Sequence, residues 1–583
     1  MTDRTPLLHP VSTQGSEYDE SEIVSYVQER RTSMASMGDK NPFSLVHTRT
    51  GHRGPSENIV GGGSTSISGG TGGLSTFKSH SSFNKQSLAD VSDILSHHAN
   101  ELADEPETSL INEVKSLVLY SVPLSITFLL QYSLTVASVF SVGRLGSTEL
   151  AAVSLSSMTA NISGYAIIQG VSTCLDTLCA QSYGRKDYNM VGLHFVRCSY
   201  LLFLLYIPMF ILWVFLSKPI LLAIVGEDQL ELCTFASDYL KVLSFGLPGF
   251  ILFENAKHFL QCQGVFHAST YVLFFCAPLN ALLNYLLVWD KHIGMGFIGA
   301  PLSVVITDWV MCFMLFAYIY FVRGYECWPA DSLFSKRCFT NWQKMIDLSV
   351  PGVLMVEAEW LAFEIITFTA STFGTEVLAA QSIISTTCVL CYQIPFAISI
   401  AASTRVAWYI GAASKNAAKI ASNAAIYTSM VVGVINGLFL FIFREQLAKL
   451  FTSDELVITL ASKVLIIGAC YQVNDCISCA TNGVLRGQGR QKIGGYLNLF
   501  SYYCIALPLA FLFAFYFDLE LVGLWLGMII ALFTVSVLQY YFVLISDWDH
   551  IINECINEGI EDGGINIDAH SLVPSMSHGS LLV

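Results

Sequence analysis

Apolar stretches of about 20 residues recur between residues 114 and 546, and no other feature restricts the fold as severely. Such a stretch matches the thickness of a bilayer's hydrocarbon core. Inside hydrocarbon each backbone N–H and C=O must be satisfied by protein, in a helix or a closed barrel, and runs of this length fit the helix. Twelve spans are expected, at 114–141, 149–171, 191–216, 236–259, 269–289, 296–322, 343–370, 377–402, 418–443, 458–483, 493–516 and 521–546. The expected fold class is an all-α polytopic membrane protein. Of the 583 residues only 13% are charged, about half the fraction usual in a soluble domain. A formal charge of −15 argues against nucleic acid as a partner. Most of the 16 cysteines, such as Cys276, Cys312, Cys391 and Cys504, fall inside apolar runs, where a thiol packs as a small hydrophobe. The pairs Cys388–Cys391 and Cys476–Cys479 have no histidine nearby, so no metal and no cofactor is expected.

Residues 1–108 form a polar N-terminal tail with no h-region of a signal peptide. Its "GGGSTSISGGTGG" (61–73) lies in sequence too polar to bury a core, and the tail is expected to be disordered apart from a short amphipathic helix near "SLADVSDILSHHANELADE". The acidic C-terminal tail, 547–583, is expected to lack structure too. Lysine and arginine set the orientation. The even-numbered loops and their edges carry Arg185, Lys186, Arg323, Lys336, Arg337, Lys344, Lys415, Lys419, Arg490 and Lys492. The odd-numbered loops are richer in acids, including Glu227, Asp228, Asp290, Asp454, Glu455 and Asp518. Basic loops stay inside, so both termini are expected in the cytoplasm.

The chain repeats itself. "SVPLSITFLLQYSLTVASVFSVGRLGSTELAAVS" from Ser121 aligns without a gap with "SVPGVLMVEAEWLAFEIITFTASTFGTEVLAAQS" from Ser349. Further on, "FLQCQG" (259–264) parallels "VLRGQG" (484–489). Two related six-span halves follow, an N-lobe at 109–330 and a C-lobe at 331–546. An even number of spans per half keeps both halves in one orientation. The repeat is therefore parallel, which suits alternating access about a central cavity.

Four motifs then carry a family resemblance: "LDTLCAQSYG" (175–184), "FLQCQG", "YQIPFAISIAASTRVAWYIGA" (392–412) and "GVLRGQGRQKIGGYLNL" (483–499). In this order, within a twelve-span repeat, the chain over residues 110–546 resembles the multidrug and toxic compound extrusion (MATE) family. The tail and "FENAKHFLQCQG" look like its fungal branch, similar to ethionine-resistance-type proteins. The resemblance implies two six-helix lobes in a V and secondary active efflux of organic solutes against H+ or Na+, with no enzymatic activity.

Span 7 holds three acids and no base, Glu357, Glu359 and Glu364. An ionised carboxylate at mid-bilayer costs about 2.5 to 3.5 kcal/mol on insertion scales. An unpaired one therefore tends to hold a proton, and a group that gains and loses a proton on opposite sides can couple proton flow to transport. At 100° per residue Glu357 and Glu364 lie about 20° apart, whereas Glu359 is about 160° and 140° from them. No single face of a straight helix carries all three. The resemblance gives Glu359 as the family's coupling acid and matches Glu364 to an acid of eukaryotic members. Glu357 has no counterpart and is the one expected to be replaceable. In span 10, Tyr471, Asp475, Cys479 and Asn482 share a face at helical spacing. The family also has an acidic position at Asp475, which would meet Glu359 inside the C-lobe. Two carboxylates in one dry site favour holding one proton or cation between them.

Several side chains are expected to line the cavity. Tyr392 and Gln393 on span 8 can supply hydrogen bonds, and Trp360 can face an organic cation. Gln131 on span 1 stands where some prokaryotic relatives carry an acid; an amide cannot titrate, which places coupling in the C-lobe. Asp308 on span 6 either attracts cationic solute or makes a polar contact within its lobe. Glu254 and Lys257 are i,i+3 and expected to pair. Asn280 and Asn284 either bond between helices or face the cavity. Arg405 and Arg486 are expected to satisfy carbonyls at cytoplasmic helix ends.

"DRTPLL" fits an acidic dileucine sorting pattern through Asp3, Leu7 and Leu8, an address that adaptors read on tails of vacuolar proteins. The vacuolar membrane is favoured over the plasma membrane. The expected function is export of organic, often cationic, solutes from the cytoplasm by H+ antiport. The competing readings are Na+ coupling and a lipid-linked glycan flippase of related fold, which would need a strongly basic cavity.

Overall fold

The structure is a computed structural model and describes residues 108–329 and 332–562. The sorting pattern at Asp3, Leu7 and Leu8, the proposed tail helix and the residues beyond 562 lie outside the described residues. Twelve long helical rods run in order: α1 Leu110–Val142, α2 147–184, α3 Tyr188–Val225, α4 230–262, α5 Ala268–Trp289, α6 Gly296–Phe321, α7 Gln343–Ser371, α8 Thr375–Gly411, α9 Lys415–Phe451, α10 Glu455–Gly487, α11 Gln491–Tyr516 and α12 Glu520–Leu544. By length and composition, nine of these are apolar enough to cross a membrane among the described residues. The other three are α2, α4 and α7. They carry Asp176, the Glu254–Lys257 pair and the three glutamates of span 7.

Local chemistry starts the rods where the sequence changes character. Ser109, Asp187 and Asp454 accept backbone N–H groups of the first turns of α1, α3 and α10. Four rods interrupt the α pattern: α2 has a π turn at Asn161–Tyr165, α3 one at Leu212–Leu216, α11 two at Ser501–Ala506 and Leu512–Tyr516, and α4 breaks at residues 244–246. Such turns rotate the side chains that follow and often sit at functional positions.

The halves pack as a pair of lobes, α1–α6 and α7–α12. Contact between them is reciprocal: α7 lies against α2, and α8 against α1. This exchange is what two copies of one unit make about a common axis. The lobes are joined where the even-numbered loops lie. There Glu113 at the start of α1 accepts from Arg405 near the end of α8, at 3.0 and 2.5 Å, and from the Tyr409 hydroxyl at 2.6 Å. The Trp408 indole donates to the Cys262 carbonyl at 2.7 Å, and Thr177 donates to the Arg486 carbonyl at 2.6 Å. Arg405 and Arg486 therefore tie one lobe to the other rather than finishing their own helices. A charge at a helix end is satisfied best by whatever acid the fold brings to it, and that acid comes from the other half.

The segment after residue 546, expected to be unstructured, is helical from Trp548 to Asp562 (α13). Trp548, Ile551, Ile552 and Cys555 are buried at helical spacing. Lys344 and Lys415 of the C-lobe pair with Glu554, Glu558 and Asp549. Arg185 of the N-lobe donates to the Cys555 carbonyl at 3.2 Å. The acidic composition read as disorder instead meets the bases of the even-numbered loops.

Close approach at the joined end depends on glycine. A Cβ on Gly411 would lie 2.1 Å from the Gln181 carbonyl oxygen. Gly411→Val is expected to weaken the closed packing by about 1 to 3 kcal/mol, the usual cost of overpacking. The check is labelling of a cysteine placed at Ser399 from the even-loop side, which should rise against the parent.

Candidate functional site

Between the lobes lies a cavity of about 500 Å³, lined by α1, α2, α4 and α6 of one lobe and α7, α8 and α10 of the other. Its wall includes Ser138, Ser157 and Val304, so it extends from the joined end toward the odd-numbered loops. Gln131, Asp308, Glu359, Trp360, Glu364, Tyr392, Gln393, Tyr471, Asp475 and Asn482 all line it. Glu357 does not.

The α7 contribution is a stripe of Gly352, Met355, Val356, Glu359, Trp360, Phe363 and Glu364. At 100° per residue it covers an arc about 180° wide, with Glu364 at one edge and Glu357 about 20° beyond it. The near-eclipse of Glu357 and Glu364 therefore does not put them in the same surroundings, because the edge of a wide cavity falls between them. Glu357 interacts instead with Tyr503 of α11, and its Oε1 is buried without a hydrogen-bond partner.

Glu359 and Asp475 come together. Glu359 accepts from the Tyr471 hydroxyl at 3.4 Å and from the side chain of Tyr502, and it acts electrostatically on Asp475. Asp475 is 2% exposed, its Oδ1 is 3.9 Å from the Cys479 sulfur, and its Oδ2 has no hydrogen-bond partner. Neither acid has an ion pair with Lys or Arg among the described residues. Tyr471 is fixed by ring contacts with Phe363 and Trp525, at 5.9 and 5.6 Å between centroids. The Trp525 indole is in turn held by Gln381 at 2.8 Å.

Tyr502 is not legible in the sequence. It is one of two adjacent tyrosines in an apolar run, and it lies in the π turn of Ser501–Ala506. No periodicity count foresees which of the two turns inward. Asn482 accepts from Gln539 of α12 at 2.8 Å, and Gln539 also donates to Asn498, so the polar stripe of α10 is braced from behind.

The N-lobe side differs. Asp308 is buried and lines the cavity opposite the break in α4, where a Cβ on Gly246 would come within 2.9 Å of its Oδ2. That oxygen has no hydrogen-bond partner. Asn280 and Asn284 are fully buried and bond to one another, to Thr307 and to Ser138, inside the lobe. Gln131 donates to Glu254 at 2.9 Å, and Glu254 pairs with Lys257 at 2.6 Å. Aromatic rings complete the wall, with Tyr392 stacked on Phe396 and Phe396 against Phe128 of the other lobe.

Comparison with known proteins agrees with this geometry. The MatE family model matches residues 123–286 and 351–512, one copy per lobe. The chain belongs to the MatE family. An uncharacterized transporter of Saccharomyces cerevisiae is 42% identical over 79% of this chain, a segment spanning 65% of the yeast protein. Protein DETOXIFICATION 16 of Arabidopsis thaliana is 33% identical over 77% of this chain and 92% of its own length. The crystal structure of the eukaryotic MATE transporter AtDTX14 superposes with a TM-score of 0.72 at 26% identity, covering 77% of this chain and 99% of that one. This MATE protein is thus a multi-pass membrane transporter of the fungal branch and not an enzyme.

Glu357 lies just outside the cavity lining of this MATE protein, so Glu357→Gln is expected to leave solute uptake within about twofold of the parent, as for substitutions outside a site. Initial uptake rates in proteoliposomes check this, with Glu364→Gln alongside as the lining counterpart.

Proposed function

We propose that this MATE protein is a proton-coupled antiporter that moves organic, often cationic, solutes out of the cytoplasm. The observation that carries the reading is the Glu359–Asp475 pair: two neighbouring acids in the cavity wall, Glu359 hydrogen-bonded by tyrosines and Asp475 almost wholly buried, with no base paired to either among the described residues. Two negative charges so placed repel each other and lack water, so the pair is most stable holding one positive charge. A proton can be that charge, and so can the cation of a solute against the rings of Trp360 and Tyr392. Competition between the two is antiport. Protons from an acidic compartment reach the pair, displace the solute there and leave on the cytoplasmic side as the protein resets. Glu364 and Asp308 line the same cavity as further carboxyl groups able to accept from a cationic solute, a lining that disfavours a lipid pyrophosphate. Arg486 also reaches the cavity, but its charge is matched by Asp176 at 3.4 Å.

The cytoplasmic placement of both termini rests on the basic even-numbered loops, and the vacuolar address on Asp3, Leu7 and Leu8. A sorting adaptor would bind that tail. An acidic vacuole lumen supplies the proton gradient that this mechanism uses.

The test is uptake of a fluorescent quaternary ammonium dye into proteoliposomes with an imposed pH gradient. Glu359→Gln and Asp475→Asn are each expected to lower gradient-driven uptake by at least about tenfold, the effect of removing an interaction worth one pKa unit or more, with insertion unchanged. Unchanged uptake in Glu359→Gln overturns the role of that acid. Uptake that follows an imposed Na+ gradient instead of a pH gradient replaces H+ by Na+ in the scheme.

A further inference from the structure

Away from the Glu359–Asp475 pair, a second set of charges is buried where the lobes meet. Asp176 on α2 and Glu254, Lys257 and His258 on α4 belong to the N-lobe; Arg486 on α10 belongs to the C-lobe. None of these side chains is more than 6% exposed. His258 Nδ1 is 2.6 Å from Asp176 Oδ1, and Glu254 holds Lys257 at 2.6 Å. Lys257 also acts electrostatically on Asp176. Across the lobe boundary, Arg486 Nε lies 3.4 Å from Asp176 Oδ2. Neither of those two atoms has a hydrogen-bond partner, so they are matched by charge and not by an aligned bond. The same guanidinium donates to Ser399 of its own lobe at 3.0 Å, which keeps it with the C-lobe.

Two carboxylates here face two cations, so the four charges cancel before His258 is counted. The other neighbours do not change the balance. The Cys179 and Cys262 thiols near Asp176 are uncharged partners, and Asp308 of α6 stays beside Glu254 whatever the C-lobe does. On α3, Arg197 is directed to the Arg337 carbonyl at 3.0 Å, and His194 is a buried imidazole. If Arg486 leaves with the C-lobe, the N-lobe keeps two carboxylates and one lysine. Even with water on one side, an uncompensated carboxylate favours a protonated partner beside it. One group in the cluster can be that partner, because His258 has a second ring nitrogen able to accept a proton.

We propose that His258 is a proton site of the N-lobe that exchanges counter-charge with Arg486. When the lobes part at the even-loop end, one proton from the water that enters there adds to His258 Nε2. When the end closes and Arg486 returns to Asp176, that proton goes back to the same water. The exchange requires only that the joined end opens during transport, and it does not depend on which acid couples solute to protons. Opening of that end is then linked to one proton, and the opening constant rises by up to about tenfold per unit fall in pH.

The test uses the full chain in nanodiscs, with spin labels at Tyr188→Cys and Lys419→Cys, exposed positions on opposite lobes at the even-loop end. The exposed Cys470 and Cys504 are replaced by serine. Glu359→Gln and Asp475→Asn are present throughout, so that no C-lobe proton contributes. The ratio of long to short label distances is read from pH 8 to pH 5.5. The expected result is a ratio that climbs toward about tenfold per unit fall in pH. His258→Gln, whose amide can still donate to Asp176, flattens the climb. Arg486→Gln flattens it too, because Asp176 then needs the proton in both arrangements; it decides the matter alone if His258→Gln does not fold. A flat profile in the parent, or an unchanged slope in either variant, overturns the proposal. The readout is lobe distance and not uptake, so a failure of the Glu359 scheme leaves it interpretable.

Discussion

Charge taken out of water must meet an opposite charge or be neutralised by a proton, and the buried ionisable groups of this protein divide by which of the two the fold provides. Glu113 meets Arg405, Glu254 meets Lys257, and Asp176 meets His258 and Arg486. Glu359, Asp475 and Asp308 meet hydroxyls, a thiol or nothing. The paired set lies at the lobe boundary and in α4, where matching fixes the arrangement. The unpaired set lines the cavity, where no base stands opposite it among the described residues. Energetics and function thus follow one rule applied with opposite outcomes in two regions.

The duplication explains how both outcomes fit in one molecule. Two copies share the packing scheme, with α7 on α2 and α8 on α1, but their polar residues have diverged. Gln131 occupies in α1 the place that Glu359 occupies in α7, 228 positions on. The amide is engaged by Glu254 of its own lobe, while the acid faces tyrosines and a second acid. The common frame holds the two lobes in register, and the differences put the paired acids Glu113, Asp176 and Glu254 in one lobe and the unpaired Glu359 and Asp475 in the other.

Rod number, repeat and lobe division are legible in the amino-acid sequence. They follow from apolar length and self-similarity, because a continuous apolar run of about 20 residues spans hydrocarbon as a helix, not as a shorter barrel strand. The face shared by Tyr471, Asp475, Cys479 and Asn482 follows from a 3.6-residue period in an unbroken helix. The features that are not legible depend on irregularity or on distance along the chain. Tyr502 turns toward Glu359 in a π turn that no propensity announces. Arg405 and Arg486 resemble helix-end bases, since their acids are 292 residues away at Glu113 and in the other half at Asp176. The helix of Trp548–Asp562 resembles an acidic tail, because its partners Lys344 and Lys415 lie in other loops.

The sequence by itself determined that this chain crosses a membrane as two related sets of six helices, and which acids would be too costly to leave charged there. Both are local properties: hydrophobic length over about 20 residues and the identity of a side chain within it. Only the tertiary structure decided which of those acids share surroundings. Glu357 and Glu364 differ by about 20° on the helix, yet the edge of the cavity passes between them, and that edge is set by helices from both lobes. The division between a paired and an unpaired buried charge is likewise a property of what stands opposite, which no position along the chain contains.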